Sequence, residues 1–105
     1  MATTARPKKQ QQGPYVIVRT YSAGVFAGRL VSRRGREVVL RDARRLWYWA
    51  GAASLSQLAM EGTAAPAQCK FPCPVDRVEL LQAIEILDVT KIARKSIEGV
   101  PIWKK

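Results

Sequence analysis

Three runs of β-branched, aliphatic and aromatic residues, separated only by short glycine-bearing turns, commit the first half of this chain to a sheet. Tyr15-Val16-Ile17-Val18-Arg19-Thr20 precedes the turn Ser22-Ala23-Gly24, and Val25-Phe26-Ala27-Gly28-Arg29-Leu30-Val31-Ser32 precedes the turn Arg33-Arg34-Gly35-Arg36. Glu37-Val38-Val39-Leu40-Arg41 closes the set. Such residues suit a pleated, packed surface, and glycine admits the positive φ that a tight hairpin turn demands. Apolar residues are continuous in the first and third runs. A strand wetted on one face alternates, so continuity predicts that parts of this meander are covered on both faces.

The second half mixes elements. A fourth strand is expected over 44–49, with Arg45, Trp47 and Trp49 on one face and Arg44, Leu46 and Tyr48 on the other. Ser54-Leu55-Ser56-Gln57 reads as a capping box, Leu55, Leu58 and Ala59 share one helical face, and Gly62 stops the helix. Residues 63–76 form a proline-punctuated connection with room for an edge strand at Lys70-Phe71. Residues 78–89 read mostly as extended, and Thr90 caps a second helix from Lys91 to Glu98, ended by Gly99. The apolar tail Val100-Pro101-Ile102-Trp103 needs a groove to sit in, on this subunit or the next. The expected fold is α+β: an antiparallel meander of about four to six strands with two short helices. At 105 residues the core is modest, and assembly into a homo-oligomer would help stabilise it.

Charge is distributed unevenly. Residues 1–45 hold eleven Lys and Arg against two acids, whereas residues 46–105 hold seven against six. Residues 1–14 lack apolar periodicity and carry Arg6, Lys8 and Lys9 before a glutamine run, which describes a flexible basic arm ahead of a single domain over 15–105. Arg29, Arg33, Arg34, Arg36 and Arg41 follow along one hairpin, and Arg44 and Arg45 run into Leu46-Trp47-Tyr48-Trp49. Arginine's planar fork grips phosphate bidentately and stacks on aromatic rings, so this half of the chain is suited to an anionic partner.

Catalysis finds little support. The chain has no histidine, and its acids are scattered, so a general base paired with a nucleophile is missing. No glycine-rich phosphate loop is present. Cys69 and Cys73 supply only half of a tetrahedral zinc site, which a second subunit would have to complete, and Pro72 and Pro74 leave a close loop disulfide sterically possible; in a reducing compartment free thiols, with no metal or cofactor, are expected. No apolar run approaches the roughly 18 residues of a membrane span, and the N-terminus lacks an apolar signal core, which together point to the cytoplasm.

The strings Tyr21-Ser22-Ala23-Gly24-Val25, Ala43-Arg44-Arg45-Leu46-Trp47-Tyr48-Trp49 and Gly51-Ala52-Ala53-Ser54-Leu55-Ser56-Gln57-Leu58-Ala59 resemble a family of small uncharacterised phage and prophage proteins. The likeness covers roughly residues 15–100 and implies a viral setting, in the host cytoplasm or in the virion, without implying an activity. Three readings fit that setting. The first is a non-enzymatic sponge for anionic nucleotide signals of host immunity, with Arg44, Arg45, Trp47, Trp49, Arg29 and Arg41 at the ligand. The second is a nucleic-acid-binding accessory protein using Arg6, Lys8, Lys9, Arg33, Arg34 and Arg36. The third is a virion or assembly component.

Overall fold

A computed structural model of the chain describes residues 13–105. Five antiparallel strands form one sheet: β1 (Tyr15–Thr20), β2 (Val25–Arg34), β3 (Glu37–Arg45), β4 (Val75–Leu80) and β5 (Ala83–Asp88). Two helices, α1 (Leu55–Glu61) and α2 (Lys91–Glu98), complete the α+β fold. Among the described residues no helix is long and apolar enough to cross a membrane.

The sheet order β4-β3-β2-β1-β5 puts β4 and β5 on opposite edges, yet only Leu81 and Gln82 join them. Five flat strands would hold those edges about 19 Å apart, four spacings of about 4.8 Å. The three Cα steps from Leu80 to Ala83 reach at most about 11 Å. The sheet must therefore curl into a partly closed barrel. The connection shows the closure, bonded on one side to the end of β1 and on the other to the start of β3: Tyr21 N donates to Gln82 O at 2.9 Å and Ala83 N to Arg36 O at 3.0 Å.

Curling creates two cores. Val16, Val18, Phe26, Val38, Leu40, Ala43 and Leu80 fill the barrel. Tyr15, Ile17 and Ala27 point outward and are covered by Leu58, Ala59, Phe71, Ile97 and Val100. β1 is thus buried on both faces, as its continuous apolar run predicts. Removing the side chain of Phe71, which is fully buried, costs about 3–5 kcal/mol.

Local chemistry sets the helices. Ser54 Oγ accepts from Gln57 N at 3.2 Å, while Gln57 Oε1 accepts from Ala53 N at 2.8 Å, a reciprocal cap that starts α1. Gly62 ends it with φ +79°, and a Cβ there would lie 2.4 Å from Ser96, so glycine also permits close approach to α2. Thr90 Oγ1 accepts from Ala93 N at 3.1 Å and donates to Met60 O at 2.8 Å, capping α2 and tying it to α1.

The expected fourth strand over 44–49 does not form as a unit. Arg44 and Arg45 end β3, and beyond them only Tyr48 pairs, through an isolated bridge to Lys70. A bulge in β3 against β2, with Asp42 at φ +50°, shifts the register between Arg41 and Arg44 and reaims everything after it. Residues 78–89 contribute to two strands with Leu81-Gln82 between them. The tail sits on its own subunit: Ile102 bridges Phe71 in parallel, and Trp103 N donates to Phe71 O at 3.0 Å.

Candidate ligand-binding site

Where β1 stops, β2 starts and β3 stops, the loop Tyr21–Gly24 projects from the sheet. Thr20 braces it from within. Its hydroxyl donates to Gly24 O at 2.7 Å and accepts from Ala23 N at 2.9 Å, and its backbone N donates to Gly24 O at 3.0 Å. Gly24 adopts φ +100°, which closes the loop at little cost only for glycine.

Arg45 crosses to this loop from the end of β3. It stands opposite Phe26, its guanidinium 4.3 Å from the ring centroid, and donates through Nη1 to Ala23 O at 2.5 Å. Leu46 anchors the next step, buried and donating from its backbone N to Val25 O at 2.8 Å. Trp47 and Trp49 then meet Arg45 and the loop around a cavity of about 540 Å³, lined further by Ser22–Val25 and Leu46. Trp47 is 64% exposed, while Trp49 is partly buried against the helical core. Tyr48 turns away to Lys70, whose Nζ lies 5.7 Å from the Tyr48 ring and 5.7 Å from that of Trp103.

A second cavity of about 440 Å³ lies on the other flank of the loop, lined by Thr20, Ser22, Ala23, Glu79, Leu80, Leu81 and Gln82. Tyr21 and Leu81 stand exposed beside it. The two cavities share Ser22 and Ala23 as a common wall. The first carries a cation and no carboxylate, and the second carries Glu79.

The structure separates residues that the sequence places together. Arg45, Trp47 and Trp49 converge; Arg44 does not and has to be removed from the set. It is 4% exposed, and its guanidinium donates to Pro72 O at 3.1 Å, Ile97 O at 3.0 Å and Phe71 O at 3.1 Å. Burial pushes its pKa below the ordinary arginine value, although the charge persists at neutral pH. With those donors spent on carbonyls, Arg44 ties the 69–74 connection and α2 to the sheet and has little left for a ligand.

Arg29 and Arg41 lie outside the cavity, opposite each other on β2 and β3. Arg33, Arg34 and Arg36 stand exposed around the β2–β3 turn. Arg6, Lys8 and Lys9 fall outside the described residues. Cys69 is buried and Cys73 exposed, both as free thiols. The Cys69 thiol donates to Ala50 O at 3.5 Å and accepts from Ala50 N at 3.4 Å, so it fastens the connection after β3. Among the described residues no group of three His, Cys, Asp or Glu gathers in one place. Sequence reasoning missed the loop wall Ser22–Gly24, although its glycine marks the turn, and the Leu81–Gln82 flank, which carries no local signal.

A cavity of this size suits a small molecule. Flat indole faces stack planar rings, and Arg45 keeps guanidinium N–H groups available for an anion after satisfying Ala23. Residues 13–97 match a family model described as "Domain of unknown function (DUF6948)". No curated protein and no solved structure matches the chain.

Proposed function

The chain belongs to the family of the domain of unknown function DUF6948, and from that premise we propose that it is a non-enzymatic binding protein for an anionic nucleotide. The observation that carries this reading is the convergence of Arg45, Trp47 and Trp49 on one cavity of about 540 Å³ that contains no acidic residue. A base would stack on the Trp47 face, which is open to solvent, while the phosphate meets Arg45. Phe26 beneath the guanidinium and Ala23 beside it hold Arg45 in place before the ligand arrives, which reduces the ordering cost of binding. Stacking contributes about 1–3 kcal/mol per base and a charge-assisted hydrogen bond about 1.5–3 kcal/mol. Together these support capture and give no route to turnover.

The resemblance to phage and prophage proteins supports a role for this capture as a stoichiometric sponge that withdraws nucleotide signals from host immunity. Titrating the protein with mononucleotides and cyclic dinucleotides while following tryptophan fluorescence tests the site. Quenching that saturates at a fixed stoichiometry, and that Trp47→Leu and Arg45→Ala each weaken at least about tenfold, supports it (about 1.4 kcal/mol per factor of ten). Fluorescence that no nucleotide perturbs rejects it.

A further inference from the structure

Arg29 on β2 stands directly opposite Arg41 on β3, and Arg41 directly opposite Arg77 on β4. Their chain neighbours Leu30, Leu40 and Val78 pack into the barrel interior, so alternation puts all three arginines on the outer face. The helices cover that face over Tyr15, Ile17 and Ala27, of which Tyr15 stands directly opposite Arg29; Arg41 and Arg77 are exposed. Like charges directly opposite on a sheet destabilise it, so a cross-strand row of three guanidinium groups costs the fold stability.

The acids nearby neutralise one member of the row and leave two. Asp42, brought round by the bulge, pairs with Arg29, and Arg29 Nε stays buried without a hydrogen-bond partner among the described residues. Asp76 and Glu79 flank Arg77 along β4, yet neither Arg41 nor Arg77 forms an ion pair among the described residues. Leu30 N donates to Pro14 O at 2.8 Å, so the chain enters the fold beside β2, one residue from Arg29. The preceding residues 1–12 contain Arg6, Lys8 and Lys9 and no acid.

We infer that this outer face is a second anion site, separate from the tryptophan cavity, that takes the phosphodiester backbone of a nucleic acid along Arg29, Arg41 and Arg77. Two strand spacings make the row about 10 Å long. A stacked strand rises about 3.4 Å per nucleotide, so the row spans about three nucleotides. Tyr15, in line with the row opposite Arg29, is buried, so the row grips backbone without reading bases. A mononucleotide would engage one of the two unpaired guanidinium groups and leave the other uncompensated, whereas a polyanion neutralises both Arg41 and Arg77 and extends to Arg29.

The test is fluorescence anisotropy of the full chain with a labelled oligothymidylate, repeated over a range of salt. Each phosphate contact on a single strand contributes about −0.7 to the slope of log K against log salt, so Arg41→Gln with Arg77→Gln flattens it by about 1.4. The same double variant keeps or raises the melting temperature, because it relieves repulsion. The same flattening by the Arg41 and Arg77 changes in an Arg45→Ala background keeps this site distinct from the nucleotide cavity. An unchanged slope overturns the inference, and so does equal flattening by Lys104→Gln with Lys105→Gln, which removes the same charge elsewhere. A fall in melting temperature in the arginine double variant overturns it by making the row structural. Absence of oligonucleotide binding, with Arg41- and Arg77-dependent binding to phosphatidylserine vesicles instead, also overturns it.

Discussion

Arg44 and Arg45 are adjacent in the chain and face opposite sides of the sheet, with opposite consequences. Arg44 stands opposite Ala27 on the helix-covered face and donates to the carbonyls of Phe71, Pro72 and Ile97. Arg45 stands opposite Phe26, lies over its ring and remains exposed. One arginine therefore holds the fold together and the other is available to a ligand.

Arg44→Ala is expected to destabilise the protein by about 3 kcal/mol or more, because several buried carbonyls lose their donors at once. Arg44→Lys should recover only part of this, since an ammonium cannot reproduce the planar fork. Arg45→Ala should cost about 1 kcal/mol or less, the scale of an exposed cation–π contact. Urea unfolding of the three variants checks the order; equal losses for Arg44→Ala and Arg45→Ala would contradict the assignment.

Tyr15 makes stability depend on pH at the alkaline end. Its phenol is pushed up to about 12, first by burial and then by Glu98, against the lowering pull of Arg94 and Arg44. In the unfolded chain the phenol ionises near 10, so its contribution is complete below that pH. It is lost as pH rises from about 10 to about 12. The loss amounts to about 2–3 kcal/mol, at about 1.4 kcal/mol per pH unit. Tyr15→Phe should flatten this part of a stability-against-pH curve; an unaltered alkaline limb would contradict the burial argument.

The two thiols should separate cleanly in reactivity. Cys73 is exposed and should react with a disulfide reagent in the native protein, whereas Cys69 is buried on Ala50 and should react only on unfolding. One thiol titrated natively and two in denaturant is the expected count. Two native thiols of similar rate would contradict the packing around Ala50.

Much of the fold is legible because its signals are local. The cap at Ser54, the stop at Gly62, the cap at Thr90 and the continuous apolar run of β1 each act within a few residues. The divergence of Arg44 from Arg45 is only half visible: alternation predicts opposite faces, but which face receives a helix depends on residues 71–100. The bulge at Asp42 and the curl that brings the β4 and β5 edges together at Leu80 and Ala83 are long-range properties. No sequence pattern marks Arg77 as the third member of a row, since only the β3–β4 register aligns it with Arg41. The adjacency of Arg45 to Trp47 and Trp49 is visible along the chain, whereas their meeting with the wall at Ser22–Gly24 around one cavity requires the fold.

The cavity around Arg45, Trp47 and Trp49 is proposed to capture a nucleotide without consuming it. Native mass spectrometry of wild-type protein and Arg45→Ala with a panel of cyclic and linear nucleotides addresses it most directly, and reports subunit number as well. A discrete adduct of unaltered nucleotide mass at fixed stoichiometry is expected on the wild type, and none on Arg45→Ala. Wild-type protein that stays bare across the panel, or adducts that persist undiminished on Arg45→Ala, would contradict it.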